Sequence, residues 1–153
     1  MDRALVGLSG ESGETELLRT AGELAAGVNA SLVVLSMIGE DVVDEDVQTL
    51  ERVAELEHTS YDADVAGAGQ ADKFGRDAAT EALSGRELDY EVVPLVVDPG
   101  AKADSILAAA DEHDCDHIFI AGRQRSPTGK ALFGDVTQTV ILNFDGDVTV
   151  TTQ

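Results

Sequence analysis

The chain has 153 residues, 43% of them hydrophobic, and a formal net charge of −20 from 30 acidic and 10 basic residues. That hydrophobic content, arranged with clear periodicity, excludes an acidic disordered chain. The lack of an apolar run of about 18 residues excludes a helical membrane span, and the charge excludes sequence-independent nucleic-acid binding, which needs Lys and Arg to neutralise phosphates.

Arg3 to Leu8 (RALVGL) reads as a first strand and Ser9-Gly10-Glu11-Ser12-Gly13 as a turn. Ser12 or Thr15 is the expected cap of the next helix, with Glu14 and Glu16 suiting its first turn. Leu17, Leu18, Ala21, Leu24, Ala25 and Val28 then recur at helical spacing, and Asn29 is the stop. Ser31 to Ile38 (SLVVLSMI) is apolar on both faces, as in a parallel strand covered on both sides. Residues 39–46 read as an acidic loop, 46–58 as a helix, 61–69 as a weak region with two glycines, and 70–83 as a helix again. The whole span 39–84 is expected to be a long crossover, broken in the middle and mobile.

Leu88 to Val97 is a third strand. Pro94 lies inside it and removes a ladder donor, which predicts a sheet edge. After the turn Asp98-Pro99-Gly100 comes a helix from Ala101 to Glu112. His117 to Ala121 is a fourth strand, Asp135 to Asn143 a helix, and Val148 to Thr152 a last strand. Strands separated by helices predict an α/β fold with a doubly wound, five-stranded parallel sheet. A long crossover and an edge third strand fit the order 3-2-1-4-5. Ligands in such sheets bind beyond the carboxyl ends of the strands, where the winding reverses. That point lies between strands one and four, and the loops there are 9–12 and 122–134.

The second of these loops is the most pointed feature of the chain. Gly122, Arg123, Arg125, Thr128, Gly129 and Lys130 form a basic, glycine-containing segment in an otherwise acidic protein whose lysines are Lys73, Lys102 and Lys130 alone. Gly134 then opens a helix with Asp135 at its start. Strand, glycine loop and helix N-terminus in that order make an anion cradle of free N–H groups and a positive dipole end. It is not a Walker A loop, because Gln124 and Ala131 stand where that motif needs Gly and Ser or Thr. The bland alternative is a surface loop whose basic residues meet an acidic face. Met37, at the end of the second strand, lines either an adenine pocket or plain core.

Other candidate sites are weaker. His113, Cys115 and His117 alternate, but they are expected to span a helix end and a turn, with Cys115 a small buried filler and no metal bound. The acidic run 41–46 lacks the spacing of a calcium loop. A lone cysteine fits a reducing compartment, and the N-terminus is too short and acidic for a signal peptide, so the cytoplasm is expected. One domain over 1–153 can bury roughly 68–70% of its unfolded surface without disulfides. Its acid coat is that of a halophile's cytosolic protein, where salt screens self-repulsion.

On the sequence GRQRSPTGKALFGDV and the element order, the chain resembles the universal stress protein family, as an acidic, haloarchaeal-type member. The resemblance implies an adenine-nucleotide alpha-hydrolase-like fold, with phosphates held by a G-x-x-G-x9-G-[ST] loop and adenosine held after strands one and two. It also implies a homodimer paired through the last strand, residues 148–152, and ATP or another nucleotide with Mg²⁺ as ligand. Carried onto this chain, the phosphate residues are Gly122, Arg123, Arg125, Thr128, Gly129, Lys130, Gly134 and Asp135. The sugar and base residues are Ser9, Gly10 and Met37. Arg125 replaces the family's second glycine, the Gly122–Gly134 spacing is one residue short, Asp135 replaces Ser or Thr, and Ser9 replaces an aspartate. The expected function is stress-linked regulatory binding of a nucleotide or other small anionic ligand, without nucleic-acid or membrane partners. A non-nucleotide dimeric protein-interaction module and a weak ATPase are the alternatives.

Overall fold

The computed structural model describes residues 1–40, 63–122 and 134–152. Among these, five strands form one all-parallel sheet in the order β3-β2-β1-β4-β5: β1 Arg3–Leu8, β2 Ser31–Gly39, β3 Tyr90–Val97, β4 His117–Gly122 and β5 Asp147–Thr152. The connecting helices are α1 Glu14–Gly27, α2 Ala63–Leu83, α3 Lys102–Glu112 and α4 Asp135–Asn143, with a 3-10 turn at Pro99–Ala101.

β1 is central, buried on both faces from Ala4 to Leu8. Its alternation sorts the core into two layers. Ala4, Val6 and Leu8 join Leu17, Leu18, Val34, Ala79 and Phe119 under α1 and α2. Leu5 joins Val33, Leu35, Ile106, Ile118, Ile120 and Val140 under α3 and α4. The continuous apolar runs are therefore explained by helices on both faces. β3 takes the edge that Pro94 predicts, with Pro94 opposite Ser36. No described helix is long and apolar enough to cross a membrane.

Two expectations are corrected. The weak region 61–69 is helical from Ala63 onward, despite Gly67 and Gly69. Tertiary packing outweighs their low propensity. α2 lies close on the sheet, where the Ser36 hydroxyl donates to the Ala71 carbonyl at 2.7 Å. The other correction concerns the start of α1. Its N-cap is Gly13, in the left-handed region at φ 86°, rather than Ser12 or Thr15. The helix and loop readings of 41–62, and the mobility expected of that span, lie outside the described residues.

Gly75 shows how tight the α2 contact is. A Cβ there would stand 2.6 Å from Val92 Cγ1 and 2.8 Å from Ser36 Cβ. Gly75→Ala is expected to cost about 1–3 kcal/mol by overpacking. A lowered urea midpoint at constant slope would register it; an unchanged midpoint would mean that α2 does not bear on the sheet at this point.

Candidate functional site

β1 pairs with β2 on one side and with β4 on the other. The chain leaves β1 for α1 on one face and enters α4 after β4 on the opposite face. The ends of these two strands therefore part, and a cavity of about 320 Å³ opens there on the α3 and α4 side. Gly7 and Ser9 line it from β1, Met37 from β2, and Ile120 and Ala121 from β4. Its remaining walls are the turn after β3, with Pro99, Gly100 and Lys102, and the first residues of α4, Gly134 to Thr137.

Four of the residues expected at the site thus come together: Ser9, Met37, Gly134 and Asp135. Gly122 is the buried last residue of β4, opposite Thr152 in β5, and is not in the lining. Gly10 faces the other side of the β1 loop, at a second cavity of about 230 Å³ with Leu8 and Phe74. Arg123, Arg125, Thr128, Gly129 and Lys130 lie outside the described residues.

The N-terminus of α4 gives the cavity its chemistry. Gly134 is the N-cap, with extended backbone and no side-chain cap. The first N–H groups of a helix have no intrahelical carbonyl to meet, and they carry the positive end of its dipole. Here those residues form cavity wall. Asp135, the first helical residue, is exposed and lines the same wall. Glu11 and Lys102 also line it. The site is therefore mixed in charge rather than simply positive.

The β1 loop is held by an internal carboxyl group. The Ser9 N–H donates to both oxygens of Glu14, at 2.8 and 2.9 Å, the Ser9 hydroxyl donates to Oε1 at 3.0 Å, and the Gly10 N–H donates to Oε2 at 2.8 Å. Glu14 is buried at 7% exposure. Burial raises its pKa, and the donors of Ser9 and Gly10 pull it partly back. The Ser9 proton is committed to Glu14, so toward a ligand the Ser9 oxygen acts as an acceptor, suited to a sugar hydroxyl. The backbone donors of Ser9 and Gly10 are likewise occupied.

Glu11, Glu14 and Lys102 were not expected at the site. Glu11 and Lys102 were legible in principle, because Glu11 stands in the loop and Lys102 at the helix start that follow the carboxyl ends of strands. Glu14 was not, because its contact depends on the left-handed Gly10 and Gly13, both at φ 86°. The His113, Cys115 and His117 side chains go to separate neighbours. His113 pairs with Glu91 at 3.3 Å, and His117 Nε2 lies 2.7 Å from the Thr149 hydroxyl and stacks on Phe119. Cys115 packs against the α3 and α4 core layer, where burial pushes its thiol up to about 11.

The family model described as the universal stress protein family matches residues 1–152. No curated protein matches the chain. Among solved structures, a universal stress protein from Archaeoglobus fulgidus is 26% identical, with 98% of each chain covered and a TM-score of 0.57. A universal stress protein in complex with cAMP is 21% identical, covering 99% of this chain and 96% of that one at a TM-score of 0.61. The universal stress protein from Archaeoglobus fulgidus in complex with dAMP is 19% identical, covering 98% and 97% at a TM-score of 0.57.

Proposed function

The chain belongs to the universal stress protein family, and we propose that it is a cytoplasmic regulatory protein that binds a nucleotide, or a closely similar small anion, in the cavity beside α4. The observation that carries this reading is the uncapped N-terminus of α4 on the wall of a cavity at the switch point. Two structural relatives that bind cAMP and dAMP support the ligand class. Met37 and Ile120 offer an apolar surface for a base, and Ser9 an acceptor for a sugar hydroxyl. Among the described residues no group of three or more side chains could hold a metal. Mg²⁺ would arrive on the ligand's phosphates, as that ion commonly does.

The working form is proposed to be a homodimer paired through β5, the edge strand with no outer neighbour among the described residues. Ile141 and Leu142 on the adjoining α4 are exposed, Leu142 at 72%, and extend that face with apolar surface. A second reading, a protein-interaction module without nucleotide, is favoured by the carboxylates of Glu11 and Asp135 on the cavity wall.

Thermal melting separates the two. At about 100 times its dissociation constant a bound ligand adds about 2.7 kcal/mol, so AMP or Mg-ATP is expected to raise the melting temperature in molar salt. No shift at millimolar nucleotide would leave the interaction module. The same experiment tests salt adaptation. With a net charge of −20, stability is expected to rise steeply between about 0.1 and 3 M salt as self-repulsion is screened. A flat profile would remove the halophilic assignment.

A further inference from the structure

The described basic residues are not used alike. Every described arginine has a carboxylate beside it: Arg3 with Glu91, Arg19 with Glu16, Arg76 with Asp72 at 2.8 Å, and Arg86 with Glu23 at 2.9 Å. Lys73 stands exposed on α2. Lys102 is half-buried on the cavity wall and has no ion-pair partner among the described residues. In a chain this acidic, an unpartnered and partly buried ammonium is conspicuous.

Lys102 is the first residue of α3, where the positive end of the helix dipole disfavours a cation. The nearby carboxylate of Asp98 does not compensate. It accepts the Gly100 N–H at 2.8 Å and so shapes the turn that carries Lys102 to the wall. The cavity is thus lined by the starts of two helices, α3 and α4, and by a lysine with no ion-pair partner among the described residues. Each of these favours one kind of occupant, a ligand bearing negative charge.

We propose that Lys102 is a ligand-binding residue that sets the specificity of the cavity, its ammonium taking the phosphate of a nucleoside monophosphate held between the starts of α3 and α4. The inference rests on the small-ligand reading of this cavity and goes further by naming the group that selects for phosphate. A single phosphate suits the site better than a chain of three. The volume is near the lower end of the roughly 300–1,000 Å³ usual for small-ligand sites, and the carboxylates of Glu11 and Asp135 oppose added negative charge.

Calorimetric titration of the full chain with AMP and with adenosine, for the wild type, Lys102→Gln and Lys102→Arg, tests this. The wild type is expected to prefer AMP. Lys102→Gln should weaken AMP by about tenfold or more, the weight of one charge-assisted hydrogen bond, and leave adenosine within about twofold. Lys102→Arg should keep most of the AMP preference. If Lys102→Gln binds AMP as the wild type does, the assignment of Lys102 falls while the nucleotide reading stands. Equal loss of AMP and adenosine would also overturn it, by showing a structural role. If the wild type binds neither compound, the nucleotide reading fails and the assignment with it.

Discussion

Glu14→Ala is expected to cost about 2–4 kcal/mol of folding stability, because it removes the acceptor of two backbone N–H groups and one hydroxyl at a single stroke. Small domains are stable by about 5–15 kcal/mol, so this is a large fraction. The loop between β1 and α1 has left-handed residues at Gly10 and Gly13 and no side-chain cap at the helix start. The Glu14 carboxylate is what joins its ends. Without it Ser9 loses its fixed direction, and the cavity loses one wall. Urea unfolding should show a lower midpoint, and Glu14→Gln, which keeps one acceptor oxygen, should recover part of the loss. An unchanged midpoint for Glu14→Ala would mean the carboxylate contributes nothing net. The pH dependence has a definite sign. Burial raises the folded pKa of Glu14 above its unfolded value. Its contribution is then complete below the unfolded pKa and declines as pH rises through the folded one. The gap between the wild type and Glu14→Ala should narrow as the pH rises above the ordinary carboxylate range.

Asp135→Ser is expected to tighten binding of Mg-free ATP by about tenfold. Asp135 begins α4 and lines the cavity, so its charge stands beside the site that the dipole and N–H groups make attractive to phosphate. At an effective dielectric of about 20, like unit charges about 4 Å apart repel by about 4 kcal/mol. Asp135 is exposed, and salt screens it, with a Debye length of about 3 Å at 1 M. A residual of about 1.4 kcal/mol, or tenfold, is the reasonable expectation. Serine keeps a polar group at the helix start, so the fold should survive. The gain should shrink as salt is raised. Weaker ATP binding in Asp135→Ser would show that the carboxylate accepts a ligand hydroxyl or holds a cation instead.

Much of the fold was legible because its signals are local and strong. Apolar runs such as Ser31 to Ile38 mark strands covered on both faces, Pro94 marks an edge, and helix spacing between them dictates parallel winding. From these the switch point follows, and with it Ser9, Met37, Gly134 and Asp135 at the cavity. What was not legible depends on contacts distant in sequence or on backbone conformation. The start of α2 at Ala63 runs through glycines that local propensity disfavours, and the helix meets the sheet only further along, at Ala71 and Gly75. Glu14 read as an ordinary first-turn acid, because its turn back toward Ser9 requires two left-handed glycines. Lys102 read as one lysine among three. Its significance depends on which arginines are already paired, and that is a property of the folded surface.

Backbone amide NMR during titration with AMP, in molar salt, tests the central claim most directly. The shifts are expected to concentrate at Gly7, Ser9, Lys102, Ala121 and Gly134 to Thr137, the residues around the cavity. Amides at the opposite cavity, such as Phe74 and Glu81, should stay in place. Shifts absent at millimolar AMP, or gathered at those distant residues, would contradict a nucleotide site beside α4.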